Sequence, residues 1–247
     1  MIKPMPNFEN SWSSQTRAAS YAKLEFPNTY YLAYRDLPKI IHTHISGDKA
    51  IDFGCGTGRS TRFLKSLGFK VVGIDISQNM LQKAKDFDKT GDYQLVSNAQ
   101  YSHLGNDKYD LVQSIFTFDN IPGWENRTNI LTGLRDLLKV TGKLILLDST
   151  PELYTNEWAS FSTKDFPENW TAKTGDIVRD IMLDVEDRSP VEDIFWTVSD
   201  YYKLFEKSEI TVDAIYKPLG FADEPYKWIS ETSIPPWMIF ILSKNQK

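Results

Sequence analysis

The segment that most constrains this 247-residue chain is Ala50-Ile51-Asp52-Phe53-Gly54-Cys55-Gly56-Thr57-Gly58-Arg59-Ser60, an apolar run followed by three glycines at alternate positions and the start of a helical pattern. Glycines at this spacing let the backbone turn sharply and approach a ligand closely, because no Cβ stands in the way. A strand that passes through a tight turn into a helix opens a strand–helix–strand unit, which favours a parallel sheet. The rhythm continues downstream: strands are predicted at residues 50–53, 70–75, 93–97, 109–115 and 143–148, with helices near 59–67, 78–86 and 125–140. Thr141-Gly142 reads as the stop of the third of these helices.

The flanks follow other patterns. Residues 11–45 read as two helices broken at Pro27-Asn28, with Tyr31, Tyr34, Leu37, Ile40 and Ile41 at helical spacing and Pro38 as an alternative, earlier end of the second helix. After Ser149 the rhythm breaks. Residues 151–197 are rich in aromatic and charged side chains, carry two strand-like runs at 177–185 and 191–197, and read as an inserted cap. A helix at 200–207 and strands at 210–216 and 237–242 complete the chain.

Composition narrows the function classes. With 28 basic against 33 acidic residues, a formal charge of -5 and a pI near 5.3, the chain lacks the basic footprint of a protein that grips phosphates, so no nucleic-acid partner is expected. The single cysteine, Cys55, precludes an intramolecular disulfide and a cysteine-based zinc site; no metal is expected. Residues 1–10 lack the basic and apolar segments of a signal peptide, and no run approaches the roughly 20 apolar residues of a membrane span. A cytoplasmic protein without a membrane partner is the expectation, and nothing in the sequence fixes an oligomeric state.

Spacing and charge select the ligand. A dinucleotide fingerprint is G-x-G-x-x-G with pyrophosphate at the helix N-terminus; here the third glycine comes one residue early and Arg59 stands where that fingerprint has glycine. Asp52, just before the turn, would repel a pyrophosphate and attract an ammonium group. The second strand ends at Asp75, where a carboxylate can accept hydrogen bonds from both ribose hydroxyls, and Ile76 follows, placed to cover one face of an adenine. A ligand with an ammonium group, a ribose and an adenine in that order is S-adenosylmethionine.

The runs Asp52-Phe53-Gly54-Cys55-Gly56-Thr57-Gly58, Val72-Gly73-Ile74-Asp75-Ile76-Ser77 and Asn79-Met80 resemble the first two cofactor motifs of class I S-adenosylmethionine-dependent methyltransferases. The resemblance covers residues 48–148. It implies an α/β fold, a doubly wound, seven-stranded, mostly parallel sheet whose final hairpin is antiparallel, with a cap insertion after the fifth strand. It divides a single domain into N-terminal helices (1–47), a cofactor-binding core (48–148), the cap (149–198) and a C-terminal helix and strand pair (199–247). By the same resemblance Gly54, Gly56 and Gly58, with Cys55, line the methionine part, Asp75 holds the ribose, Ile76 packs on adenine, and Asn98 and Ala99 stand where relatives place an acid near the adenine amine. Ser114 and Phe116, at the end of the fourth strand, are candidates beside the sulfonium, and Arg35 for the methionine carboxylate, with an ordinary exposed arginine as the alternative.

The expected activity is methyl transfer to nitrogen or oxygen of a small molecule; the alternative is a protein of this fold that holds S-adenosylmethionine or S-adenosylhomocysteine without turnover. Methyl transfer is an in-line displacement that alignment in a dry pocket can drive, so no catalytic base is assigned. Asp119 is a substrate-side candidate with Phe116, and otherwise caps the segment that follows it. His42 and His44 are read as surface residues and His103 is left open. Tyr21 and Tyr30 either fold over the cofactor or pack the core. Trp158, Phe161, Phe166, Trp170, Trp196, Tyr226 and Trp228 are read together as the makings of a closed small-molecule pocket.

Overall fold

The computed structural model describes residues 24–97 and 99–245. Two short helices, α1 (Thr29–Arg35) and α2 (Leu37–His44), precede the alternating units β1 (Lys49–Phe53), α3 (Arg59–Ser66), β2 (Lys70–Asp75), α4 (Gln78–Phe87), β3 (Asp92–Leu95), β4 (Tyr109–Ile115), α5 (Trp124–Leu137) and β5 (Leu138–Ser149). Three strands, β6 (Phe161–Ser162), β7 (Ile177–Met182) and β8 (Val191–Ile194), form a separate antiparallel sheet. Helix α6 (Val198–Lys207) and strands β9 (Ile210–Tyr216) and β10 (Trp237–Lys244) follow. The main sheet has seven strands in the order β3-β2-β1-β4-β5-β10-β9, parallel from β3 to β5, with β10 antiparallel to both of its neighbours.

Strand periodicity explains the two-sided core. Successive side chains point to opposite faces, so Ala50, Leu111, Ile145 and Ile239 join α1, α2 and α3 on one face through Leu32, Leu37, Ile41 and Leu64. Their neighbours Ile51, Val112, Leu144 and Phe240 meet Leu131 and Leu134 of α5 and Leu204 and Phe205 of α6 on the other. Every residue of β4 is buried, as expected for the centre of a doubly covered parallel sheet. The register sets Phe53 beside Ile74 on one side and Ser114 on the other. The turn after β1 is thereby level with the ends of β2 and β4.

Two local readings change. The break at Pro27-Asn28 stands, with Asn28 the N-cap of α1, but the single helix read after it is divided at Asp36, and Pro38 lies in the first turn of α2 instead of ending a helix; a missing N–H costs nothing where the helix has no acceptor for it. Helix α5 stops at Leu137, so Gly142 is no helix stop. A Cβ on Gly142 would meet the Tyr109 carbonyl oxygen at 2.7 Å, at an irregularity in the β4–β5 pairing, so its role is to let two strands approach. No helix among the described residues is long and apolar enough to cross a membrane.

Candidate functional site

The ends of β1, β2 and β4 open into a cavity of about 520 Å3, where open α/β sheets place their ligands. Gly54 and Cys55 donate their N–H groups to the Ile74 carbonyl (2.8 and 3.1 Å), and Gly58 donates to Cys55 O (2.8 Å), closing the turn; Gly58 is the N-cap of α3. Gly54 has φ +68°, and a Cβ there would lie 2.4 Å from Thr117. Gly56, at φ +52°, differs: a Cβ would meet nothing within 4 Å, because this residue faces the cavity.

Asp75 is the acid of the cavity wall. It accepts hydrogen bonds from the N–H of Gly56 (2.8 Å) and of Ser77 (2.8 Å). Burial raises its pKa above the usual carboxylate range, against the lowering effect of those backbone donors. A carboxylate offers about four acceptor positions, so a ligand's hydroxyls can still be met. Beside it Ile76 stands 62% exposed on the wall, a large apolar side chain with room for a flat partner. Ala99 and Tyr101 line the same region. Cys55 also lines the wall, its thiol pushed up by burial and held as the neutral group.

Asp52 is placed differently from the expectation that it faces a ligand ammonium. It is fully buried under the turn, absent from the wall, and accepts hydrogen bonds from Ser60 Oγ (2.7 Å), Thr61 Oγ1 (2.6 Å) and Gln113 Nε2 (3.4 Å). Burial pushes its carboxyl up to about 6 against these donors. Asp52 therefore ties the first turn of α3 to β1. Ser114 is likewise inside the sheet, its Oγ without a partner, while Ile115, Phe116 and Thr117 reach the wall; Phe116 does so at φ +54°. The strand's alternation turns Ser114 away.

Arg35 is also off the wall. Its guanidinium pairs with Asp36 (2.8 Å) and Glu224 (2.7 Å), donates to Leu219 O (3.0 Å) and lies 4.6 Å from the Phe221 ring, fastening α1 to the segment between β9 and β10. Arg59, which the sequence reading used only to exclude a dinucleotide, is the basic residue of the wall among the described residues. It is buried, donates to Glu25 O (2.8 Å) and lies 5.1, 5.7 and 5.9 Å from the rings of Tyr30, Tyr34 and Phe116. Its position directly after Gly58, at the start of α3, was the available signal.

Asp119 points away from the cavity. It is buried and accepts from Asn120 Nδ2 (2.8 Å) and Ser149 Oγ (3.3 Å). Behind it Asp148 accepts from the Tyr201 hydroxyl, and Asp193 from the Tyr154 hydroxyl at 3.1 Å. Burial drives Asp148 and Asp193 well above the usual carboxylate range, with Asp119 adding repulsion. Asn120, not Asp119, lines the cavity. Of the aromatic residues predicted to form the pocket, none is on this wall. Trp158, Phe161 and Trp196 are core side chains, and Trp170 is 70% exposed. Tyr34, Phe53, Tyr101 and Phe116 supply the rings instead, Phe116 packing on Tyr30 and Trp237. His44 meets the Tyr216 hydroxyl at 2.8 Å, and neither His42 nor His103 lines the cavity. Asn98 and Tyr21 lie outside the described residues.

Residues 51–146 match the methyltransferase-domain family. A ubiquinone biosynthesis O-methyltransferase of Nitrosococcus oceani is 28% identical over 119 residues, an overlap of 46% of this chain and 49% of that protein. The chain spans about half the length of the curated relatives it matches. Among solved structures, the CcbJ methyltransferase of Streptomyces caelestis superimposes with a TM-score of 0.66 at 14% identity, covering 97% of this chain and all (100%) of that one. A SAM-dependent methyltransferase of Methanosarcina mazei gives 0.63 at 16% identity, covering 84% and 98%. The domain match from β1 into β5 and the shared sheet topology make the chain similar to the class I, S-adenosylmethionine-dependent methyltransferases.

Proposed function

We propose that this protein transfers a methyl group from S-adenosylmethionine to a nitrogen or oxygen of a small-molecule acceptor. The open space over Gly56, between Asp75 and Ile76, carries this reading. An elongated ligand laid across a Cβ-free turn, with a ribose at Asp75 and an adenine against Ile76, fits what those residues offer. When bound, S-adenosylmethionine supplies a methyl group on a cationic sulfur. The residues then have three tasks. Gly54 and Gly56 give the cofactor close backbone approach, Asp75 takes the ribose hydroxyls, and Arg59, in place of Arg35, faces the carboxylate end. Rings of Tyr34 and Phe116 keep that end dry, so that alignment with the acceptor supplies the acceleration. Asn98 and Ala99 remain assigned to the adenine edge.

The acceptor class draws on the O-methyltransferase name of the Nitrosococcus relative and on the cavity's size, within the range of small-molecule sites. Residues 149–198, with their three-stranded sheet, are assigned as the cap, and the acidic balance with one buried cysteine fits a cytoplasmic protein without nucleic-acid partners. Calorimetric titration with S-adenosylmethionine and S-adenosylhomocysteine tests the reading. Saturable binding that an Asp75→Ala variant weakens at least about tenfold supports it, and absence of binding by the native protein overturns it. Turnover with a panel of small amines and phenols separates an enzyme from a protein that only holds the cofactor.

A further inference from the structure

We infer that Asn120 reads the methyl acceptor, its side-chain oxygen accepting a hydrogen bond from the N–H or O–H of the atom to be methylated. The inference rests on the cofactor reading above and adds the residue and chemistry that select the acceptor. Asn120 closes the short turn Phe118–Asn120 just beyond β4 and lines the cavity beside Thr117 and Ile121. Its Nδ2 donates to Asp119 Oδ1 at 2.8 Å and also bonds the Asp193 carboxyl. Both partners sit behind the wall and accept from the amide nitrogen, Asp119 through Oδ1, so that nitrogen is committed to that side and the oxygen is left over. That oxygen is screened from solvent and has no hydrogen-bond partner. Among the described residues of the cavity wall, Asn120 carries the one buried polar side-chain atom left in this state. A buried acceptor without a donor is costly and calls for an explanation; a ligand donor at the cavity supplies one.

The acids behind Asn120 are positioning residues in this account. Asp193 is fixed by the Tyr154 hydroxyl and Asp148 by that of Tyr201, and Ser149 holds Asp119. The amide is thus set by a buried framework that does not itself reach the cavity. Such a site favours an amine or hydroxyl acceptor over one that presents a thioether or an aromatic carbon, which has no donor to offer.

The test does not require the acceptor's identity. Sinefungin carries an amine-bearing carbon where the cofactor has its methyl-bearing sulfur, so it places N–H donors beside the position of transfer, whereas S-adenosylhomocysteine has none there. In calorimetric titrations, Asn120→Ala is expected to weaken sinefungin about tenfold more than S-adenosylhomocysteine. Asn120→Asp, which keeps an acceptor oxygen, retains the native preference, and Asp193→Asn, which offers the amide a donor and frees it to turn, loses it. A variant with native S-adenosylhomocysteine affinity is folded, so the ratio isolates Asn120. Equal weakening of both ligands, or of neither, overturns the inference while leaving the cofactor site standing. Failure of the native protein to bind either ligand overturns the cofactor reading and this inference with it.

Discussion

Two ends of the molecule that meet near the cavity are held by opposite means. Around the glycine turn main-chain N–H groups bond the next strand, Gly54 and Cys55 to Ile74 O and Gly56 to Asp75, and the hydroxyls of Ser60 and Thr61 bond Asp52 only a few positions away. At the other end, side chains from distant parts of the chain knot together. Thr29 Oγ1 donates to Glu231 Oε1 (2.6 Å) while its own N–H donates to Ser160 Oγ (3.0 Å), Ala159 N–H donates to the same Glu231 oxygen (2.8 Å), and Trp237 Nε1 donates to Thr29 O (2.8 Å). The first region depends on its backbone path and at Gly54 has no room for an added Cβ. The second tolerates backbone adjustment but depends on a few polar groups, so damage should register as lost stability and not as lost ligand affinity.

The largest effect expected is at the knot. Glu231→Ala leaves the buried Thr29 Oγ1 and the partly buried N–H groups of Ala159 and Ile229 without their acceptor, and together these losses should cost about 4 kcal/mol. Urea unfolding measures this, and S-adenosylhomocysteine affinity should stay within about twofold of native. A large loss of affinity with little loss of stability would break the comparison.

Next comes a contrast within the turn itself. Gly54→Val sets a β-branched residue at φ +68° with its Cβ 2.4 Å from Thr117, and about 3 kcal/mol of stability should be lost. Gly56→Ala, at φ +52° but facing open space, should cost only about 1 kcal/mol in stability and should weaken cofactor binding about tenfold or more. If Gly56→Ala binds as well as the native protein, close backbone approach is not what the turn provides.

The same contrast explains what the sequence made legible. The strand–helix alternation and the wall positions of Gly54, Gly56, Asp75 and Ile76 follow from local patterns, strand alternation, glycine spacing and an acid at a strand end, whereas the seven-stranded sheet and the place of Ala99 came from the family resemblance. Arg35, Asp119 and Ser114 are places where local reasoning failed. Arg35 faces Glu224 because α1 packs against a segment almost two hundred positions downstream, and Asp119 turns inward because β8 and α6 bring Asp193 and Tyr201 around it. Neither partner is visible from the neighbourhood of the residue. Asp52 misled for another reason: Ser60 and Thr61 stand on the next turn of chain, and their hydroxyls satisfy the carboxylate that its position before a ligand turn made look exposed.

Asp52 gives a pH-dependent form of the comparison. Its carboxyl, displaced upward mainly by burial, titrates at about 6 in the folded protein against 3.8 as the reference value. A raised carboxyl pKa means that the neutral form is favoured on folding, so its contribution to stability is complete below about pH 4 and is lost as pH rises through about 6. At roughly 1.4 kcal/mol per pKa unit, the difference in unfolding free energy between Asp52→Asn and native protein should shift by about 3 kcal/mol in favour of the variant from pH 4 to pH 8. Parallel stability curves across that range would show that Ser60, Thr61 and Gln113 compensate the buried charge fully.

The smallest effect separates two arginines. Arg35→Ala removes ion pairs to Asp36 and Glu224 and a ring contact with Phe221; partly exposed pairs are weak, so about 1 kcal/mol of stability should go, with cofactor affinity unchanged. Arg59→Met keeps much of the apolar stem among Tyr30, Tyr34 and Phe116 but removes the charge. S-adenosylhomocysteine, which carries the amino-acid carboxylate, should then bind about tenfold more weakly, whereas 5′-methylthioadenosine, which lacks that carboxylate, should bind both proteins alike. If Arg35→Ala instead weakens S-adenosylhomocysteine selectively, α1 must swing its guanidinium from Glu224 to the cavity when the ligand arrives. The side chain that now fastens α1 to the segment before β10 would then serve both ends of the molecule in turn.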